Sequence, residues 1–259
     1  MERPMAEKAA AAPQAGTRPG TNKAGKGVFY AVGVGPGDPE LLTLKAVRLL
    51  EACPVVAAPR TAGGRMVALD IARQAVDLRG KEILPLDFSM SPDPAKRAAA
   101  QQAAAGLVRR KLEAGLDVAM VNIGDVSLYA TCSYLMEQLE AEGFATARAA
   151  GVPSFCAAAA RLNTSLTGID TPLHIYPAAE EEDLAAALRQ PGTKILMKSA
   201  RRLPAVVQAL RAEGLAGRSA LVANCGLPGE LALPSLDGPE AGAALDAGYF
   251  VTVIVKEGE

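Results

Sequence analysis

The chain has no tryptophan, one histidine and few aromatic residues of any kind, 4% of 259. The single histidine, His174, excludes a His-rich metal site and leaves little from which to build a Ser/His/Asp or Cys/His nucleophilic constellation. It stands in an apolar stretch and reads as a packing residue; no metal is expected. Cysteine is also sparse. The four, at 53, 132, 156 and 225, form no Cys-x-x-Cys pair and read as reduced, buried thiols of a cytoplasmic protein. Long apolar runs are missing: stretches such as Val251 to Val255 fall far short of the roughly 18 residues of a membrane span. The N-terminus has no apolar core of a secretory signal. Nor is either charge in excess. With 27 Lys+Arg against 28 Asp+Glu the net charge is −1, which argues against a general nucleic-acid binder.

Half the residues are hydrophobic, with 25 Gly and 18 Pro, an ordinary globular composition. The length allows one large or two medium domains. Residues 1–26 are rich in Ala, Gly, Pro and Lys without apolar periodicity and read as a disordered tail. From Val28 the pattern alternates between strand and helix. Strands are expected at Val28 to Val34, Val55 to Ala58, Glu82 to Leu86, Asp117 to Ile123 and Ala145 to Arg148. Helices are expected at Pro39 to Ala52 (N-capped by Asp38), Arg65 to Ala75, Pro94 to Ala114, Tyr129 to Glu142 and Pro153 to Leu162. This alternation predicts a mostly parallel sheet covered by helices. The pattern breaks into Gly, Asp, Asn and Thr around Thr164 to Thr171, which places a boundary there: 27–168 as one α/β domain and 169–259 as a second. In the second, strands are expected at Leu173 to Tyr176, Lys194 to Lys198, Ser219 to Ala223, Glu230 to Pro234 and Tyr249 to Lys256. Its helices fall at Glu180 to Gln190 and Leu203 to Glu213.

Five segments stand where strands end, the place at which α/β folds present bare backbone to a ligand. Gly33 to Lys45 (GVGPGDPELLTLK) is a glycine-rich loop. It is not a dinucleotide fingerprint, because Asp38 stands at the third glycine position, nor a phosphate loop, because Gly-Lys-Ser/Thr is missing. Its alternative reading is a tight turn before a capped helix. In Asn122 to Tyr129 (NIGDVSLY), Asp125 suits a hydroxylated ligand or, more plainly, an N-cap for the helix near Tyr129. Ala150 to Leu162 (AGVPSFCAAAARL) offers small residues for close packing. Lys194 to Arg202 (KILMKSARR) gathers Lys198, Arg201 and Arg202 past a strand end, as an anion site or a solvated helix start. Asn224 to Glu230 (NCGLPGE) is a turn between strands.

Taken together, these segments resemble the tetrapyrrole methylases, the S-adenosylmethionine-dependent enzymes of cobalamin and sirohaem synthesis. GVGPGDPELLTLKAVRLL is similar to the family's opening signature. EILPLDFSMSPDP (Glu82 to Pro94), GDVSLYATCSYL (Gly124 to Leu135) and GVPSFCAAAARL (Gly151 to Leu162) are most similar to members that methylate carbon 20 of precorrin-2 or cobalt-factor II. The resemblance runs from about residue 28 to the C-terminus. It implies the fold of two α/β domains with the active-site cleft between them, a homodimer, S-adenosylmethionine as methyl donor and a small-molecule tetrapyrrole as substrate, with neither nucleic acid nor membrane as partner. It implies donor-binding positions at Pro36, Ile123, Gly124, Asp125, Leu128, Pro153 and Ser154, closed on the far wall by Met197, Lys198, Asn224 and Cys225. Where family members usually read Pro-Gly-Val-Ser/Thr-Ser, this chain reads Ala150-Gly151-Val152-Pro153-Ser154, and Pro153 supplies neither hydroxyl nor N–H. The carboxylates of such a substrate make Arg60, Arg65, Lys198, Arg201 and Arg202 candidate anchors. The implied reaction is direct displacement at the sulfonium methyl, and no residue is singled out as catalytic. Methylation at another ring carbon, or a carrier that kept the fold, are the competing readings.

Overall fold

A computed structural model describes residues 25–177, 184–238, 241–242 and 248–257. The expected tail lies outside these residues apart from its last two, and so does the start of the helix expected from Glu180. Among the described residues ten strands form two five-stranded sheets. The first, in the order β3-β2-β4-β1-β5, consists of β1 (Val28–Gly33), β2 (Val55–Arg60), β3 (Glu82–Asp87), β4 (Val118–Asn122) and β5 (Ala145–Ala149), all parallel. The second, in the order β6-β7-β10-β8-β9, consists of β6 (Leu173–Pro177), β7 (Thr193–Met197), β8 (Ser219–Ala223), β9 (Leu231–Leu233) and β10 (Val251–Val255). Only β6 and β7 run parallel there; the rest are antiparallel, so the parallel expectation describes the first sheet alone.

Helices cover both faces of the first sheet, which accounts for the nearly unbroken apolar runs of β1 and β4. On one face Val28, Tyr30 and Val32 pack against Leu50 of α1 (Leu44–Ala52) and Leu69 of α2 (Val67–Ala75). On the other, Phe29 and Ala31 pack against Val108 of α3 (Pro94–Glu113) and Leu135 of α4 (Cys132–Ala141). In the second unit α6 (Leu184–Arg189) and α7 (Leu203–Ala212) cover one face through Leu188, Val206 and Leu210. The opposite face is covered by a helix from the first half of the chain. Phe155, Ala158 and Ala159 of α5 (Ser154–Arg161) pack on Ile195, Val222 and Ile254, joining the two halves in one apolar seam.

Two expected helices differ in a telling way. The one expected at Pro39 to Ala52 is broken. Asp38 accepts from the Glu40 N–H at 2.9 Å and starts only a 3-10 turn, Pro39–Leu41. Leu42 is extended, and Thr43 caps α1 afresh by accepting from the Ala46 N–H at 3.1 Å. Two capping residues five positions apart each begin their own turn. The helix expected from Tyr129 begins at Cys132, because Asp125, read as its N-cap, turns its carboxylate elsewhere.

Candidate functional site

β1 and β4 are neighbours, yet the chain leaving β1 runs to α1 on one face and the chain leaving β4 runs to α4 on the other. The two loops therefore part at the carboxyl ends of their strands, where α/β sheets hold ligands. They are first stitched together by main chain: the Val34 N–H donates to the Asn122 carbonyl at 2.9 Å and the Gly124 N–H to the Gly35 carbonyl at 2.8 Å. A third loop packs onto them. A Cβ at Gly151 would lie 2.2 Å from the Gly124 carbonyl oxygen and 2.9 Å from Gly33, so this contact is backbone on backbone. Gly124 is different. Its φ is +74°, and a Cβ there would meet only the Val152 carbonyl, at 4.0 Å. Gly124 is itself buried, but its side-chain position stands clear of the second and third loops.

Asp125 fixes this arrangement. One carboxylate oxygen accepts from the Gly151 N–H at 2.8 Å; the other accepts from the Ser127 N–H at 2.8 Å and from the Ser127 hydroxyl. Burial works against its charge, but the hydrogen bonds from Ser127 and Gly151 outweigh that and hold the carboxyl below the ordinary carboxylate range. The carboxylate thus clamps the second loop to the third.

The opposite wall comes from the second sheet. Met197 and Lys198 leave β7, and Asn224 and Cys225 leave β8. Leu128, Met197 and Cys225 are half-buried at the rim of the α5 seam. The first loop and the turn after β8 touch through glycine: a Cβ at Gly37 would lie 2.3 Å from the Cys225 carbonyl oxygen. Glu230 ties that turn to α5, accepting from the Gly226 N–H at 2.8 Å and pairing with Arg161. Of the implied donor positions, Pro36 is buried, and Ile123 is half-buried and packs with the first core. Pro153 stands at the N-cap of α5, and the Ser154 hydroxyl bonds to that of Thr252 at 3.1 Å, across the seam.

The candidate anchors fare unequally. Arg60 makes a two-pronged pair with Asp87, Nε at 2.8 Å and a terminal nitrogen at 2.6 Å, so its charge is already matched. Arg65 is exposed and closes the turn Thr61 to Arg65 through its main chain. Arg201 and Arg202 are exposed on a 3-10 turn, Ala200–Arg202, next to Lys198. Tyr129 was no candidate in the sequence, yet it reaches across the cleft: its ring lies 5.1 Å from the Lys198 ammonium. The cysteines offer no thiolate, although only Cys53 and Cys132 are buried as expected; Cys225 is half-buried and Cys156 exposed on α5. Burial pushes Cys53 up to about 12 and Cys132 to about 11, and burial together with the Glu230 carboxylate brings Cys225 to about 11. His174 bonds to the Pro191 carbonyl at 2.9 Å and stacks on Tyr176. Among the described residues no group of three or more His, Cys, Asp or Glu is placed to hold a metal ion, and no helix is long and apolar enough to cross a membrane. Two hollows, of about 250 and 390 Å³, lie on the second unit, one under α7 and one lined by Lys194, Arg189 and Glu213. Neither includes any residue of the loops described above.

A parallel sheet with a switch point, a second sheet seated against it by α5, and glycine loops meeting main chain to main chain are features of the whole chain. Across residues 28–236 the sequence matches the family model of the tetrapyrrole (corrin/porphyrin) methylases. The chain is a tetrapyrrole methylase. It is 31% identical over 235 residues to the cobalt-precorrin-2 C(20)-methyltransferase of Salmonella typhimurium, covering 89% of this chain and 97% of that one. A protein of Methanocaldococcus jannaschii named as a probable enzyme of the same activity is 35% identical over 171 residues, covering 66% and 71%. Among solved structures, uroporphyrin-III C-methyltransferase from Thermus thermophilus complexed with S-adenosylhomocysteine superposes with a TM-score of 0.65 at 23% identity, over 89% of this methylase and 98% of that chain. That likeness fixes the two-domain fold.

Proposed function

We propose that this methylase transfers a methyl group from S-adenosylmethionine to carbon 20 of precorrin-2, in its cobalt-bearing or metal-free form, in cobalamin biosynthesis. The observation that carries the reading is the Gly124 main chain at the carboxyl end of β4, with no atom nearer than 4.0 Å to where a Cβ would stand, in a chain that aligns along nearly its whole length with a carbon-20 methyltransferase. The residues present fit such a donor. Gly124 leaves room at its side-chain position on the loop after β4, and Leu128, Met197 and Cys225 offer half-buried apolar and sulfur surface. When bound, S-adenosylmethionine supplies an electrophilic methyl on a sulfonium.

The protein's own part is placement. Asp125 holds the Gly124 and Gly151 loops at a fixed separation, so the pocket needs little rearrangement on binding. Leu128 and Met197 exclude water from the reacting centre. Lys198, Arg201 and Arg202 present cations to the ring carboxylates at the mouth. Alignment of this kind contributes up to roughly 7–11 kcal/mol in favourable cases, enough for an electron-rich carbon that needs no activated nucleophile. We further propose a division at residue 168 and a homodimer, the latter testable by light scattering.

The test is incubation with S-adenosylmethionine and either cobalt-precorrin-2 or metal-free precorrin-2, followed by mass spectrometry and carbon NMR. One added methyl at carbon 20 is expected. A methyl at another carbon would reassign the ring position, and no transfer with either ring would sink the reading.

A further inference from the structure

We propose that Tyr129 is a positioning residue: its ring holds the Lys198 ammonium at the mouth of the cleft, where a carboxylate of the tetrapyrrole meets a cation fixed in advance. This rests on the methyltransferase reading above and adds to it a residue that reading does not use.

The two residues belong to different sheets. Tyr129 stands in the loop that leaves β4 and Lys198 in the turn that leaves β7. Both adopt the left-handed region, with φ of 49° and 56°. Bulky L-residues rarely take that conformation, and it persists only where the surroundings over-determine it. Four non-glycine residues of the described chain do so. Asn163 follows the end of α5; the other three, Tyr129, Lys198 and Asn224, all stand on loops of the cleft. Two strained residues from opposite walls thus meet each other, with the ammonium 5.1 Å from the ring centroid, inside the range of a cation–π contact. The Tyr129 hydroxyl also donates to the Ile175 carbonyl of β6 at 3.4 Å, steadying the far edge of the ring. Ser199, next in the chain, is fully buried with its hydroxyl unpartnered. The turn therefore keeps its shape although an orphaned polar group opposes it, as expected if its geometry serves to aim Lys198.

The chemistry of the partner matters. A carboxylate beside Lys198 would cancel its charge, as Asp87 does for Arg60. An aromatic face attracts the ammonium without neutralising it, leaving the full charge and the N–H groups turned away from the ring for an incoming anion. The side chain is also immobilised before the substrate arrives, which removes part of the ordering cost of binding.

The test uses the full chain in the assay above, reading the Michaelis constant for the tetrapyrrole, kcat, and S-adenosylhomocysteine affinity by calorimetry. Tyr129→Ala and Tyr129→Leu should each raise the tetrapyrrole KM about fivefold, with kcat and S-adenosylhomocysteine affinity within about twofold. Leucine keeps bulk but has no π face, so it guards against an alanine variant that folds poorly. Tyr129→Phe should restore KM to within about twofold of the parent. In Lys198→Met the ring has no cation to hold, so adding Tyr129→Leu should change KM no further. An unchanged KM in both Tyr129→Ala and Tyr129→Leu, a failure of phenylalanine to restore it, or full additivity with Lys198→Met would overturn the proposal. If the parent chain transfers no methyl at all, the methyltransferase reading fails instead, which is a separate result.

Discussion

At the scale of single residues, Asp125 does structural work that its place in a ligand loop conceals. Both of its oxygens are engaged by Ser127 and Gly151, so the charge ties two loops together rather than facing outward. Replacing it by Asn leaves an amide where the Gly151 N–H needs an acceptor. Hydrogen bonds to a charged group contribute about 1.5–3 kcal/mol each, and Asp125→Asn should lower stability at neutral pH by about that amount. The folded carboxyl titrates below its unfolded value of about 3.9, so its contribution is complete above that pH and is lost as pH falls through the native value. Denaturant titrations of the parent and variant should therefore converge as pH drops below about 4; a constant gap down to acid pH would exclude the carboxylate as the source. In the sequence, Asp125 was visible as a residue of interest, but its partner was not. A hydrogen bond to a glycine 26 positions away leaves no local pattern, and the nearer alternative, capping a helix at Tyr129, is the plainer reading of the sequence.

At the scale of elements, most strands and helices were legible because apolar periodicity is a local property. The errors came where two local signals competed. Asp38 and Thr43 are both good caps, and composition cannot say that each ends up beginning a separate turn. The second sheet's antiparallel pairing was not legible either, since β10 inserts between β7 and β8 from the far end of the sequence. The role of α5 as the seam between sheets was hidden for the same reason: its alanines read only as a surface that packs closely. The glycine loops can be told apart by substitution. Gly124→Ala meets nothing nearer than 4.0 Å and incurs only its left-handed backbone conformation, about 1 kcal/mol, hence a fall in Tm of about 2–4 °C. Gly151→Ala drives a Cβ into main chain, an overpacking of about 3 kcal/mol, and should lower Tm by at least about 6 °C. Equal losses in thermal melts would mean that the third loop relaxes freely and the clamp is not rigid.

At the scale of the whole molecule, the net charge is near zero, so the ring carboxylates of the proposed substrate call for cations gathered locally. Arg201 and Arg202 are exposed on the turn that follows Lys198 and are the proposed anchors. The double change Arg201→Ala with Arg202→Ala should raise the tetrapyrrole KM several-fold at low ionic strength, leave S-adenosylhomocysteine affinity intact, and lose most of its effect in high salt, because exposed charges are screened. An unchanged KM at low salt would move the anchor to Arg65. The α5 seam has a mechanical consequence. Phe155, Ala158 and Ala159 are buried against Ile195, Val222 and Ile254, so swinging the two halves apart would strip that apolar surface into water. The seam acts in effect as a rivet: prising the halves apart would cost about 25 cal/mol for every Å² of apolar surface uncovered.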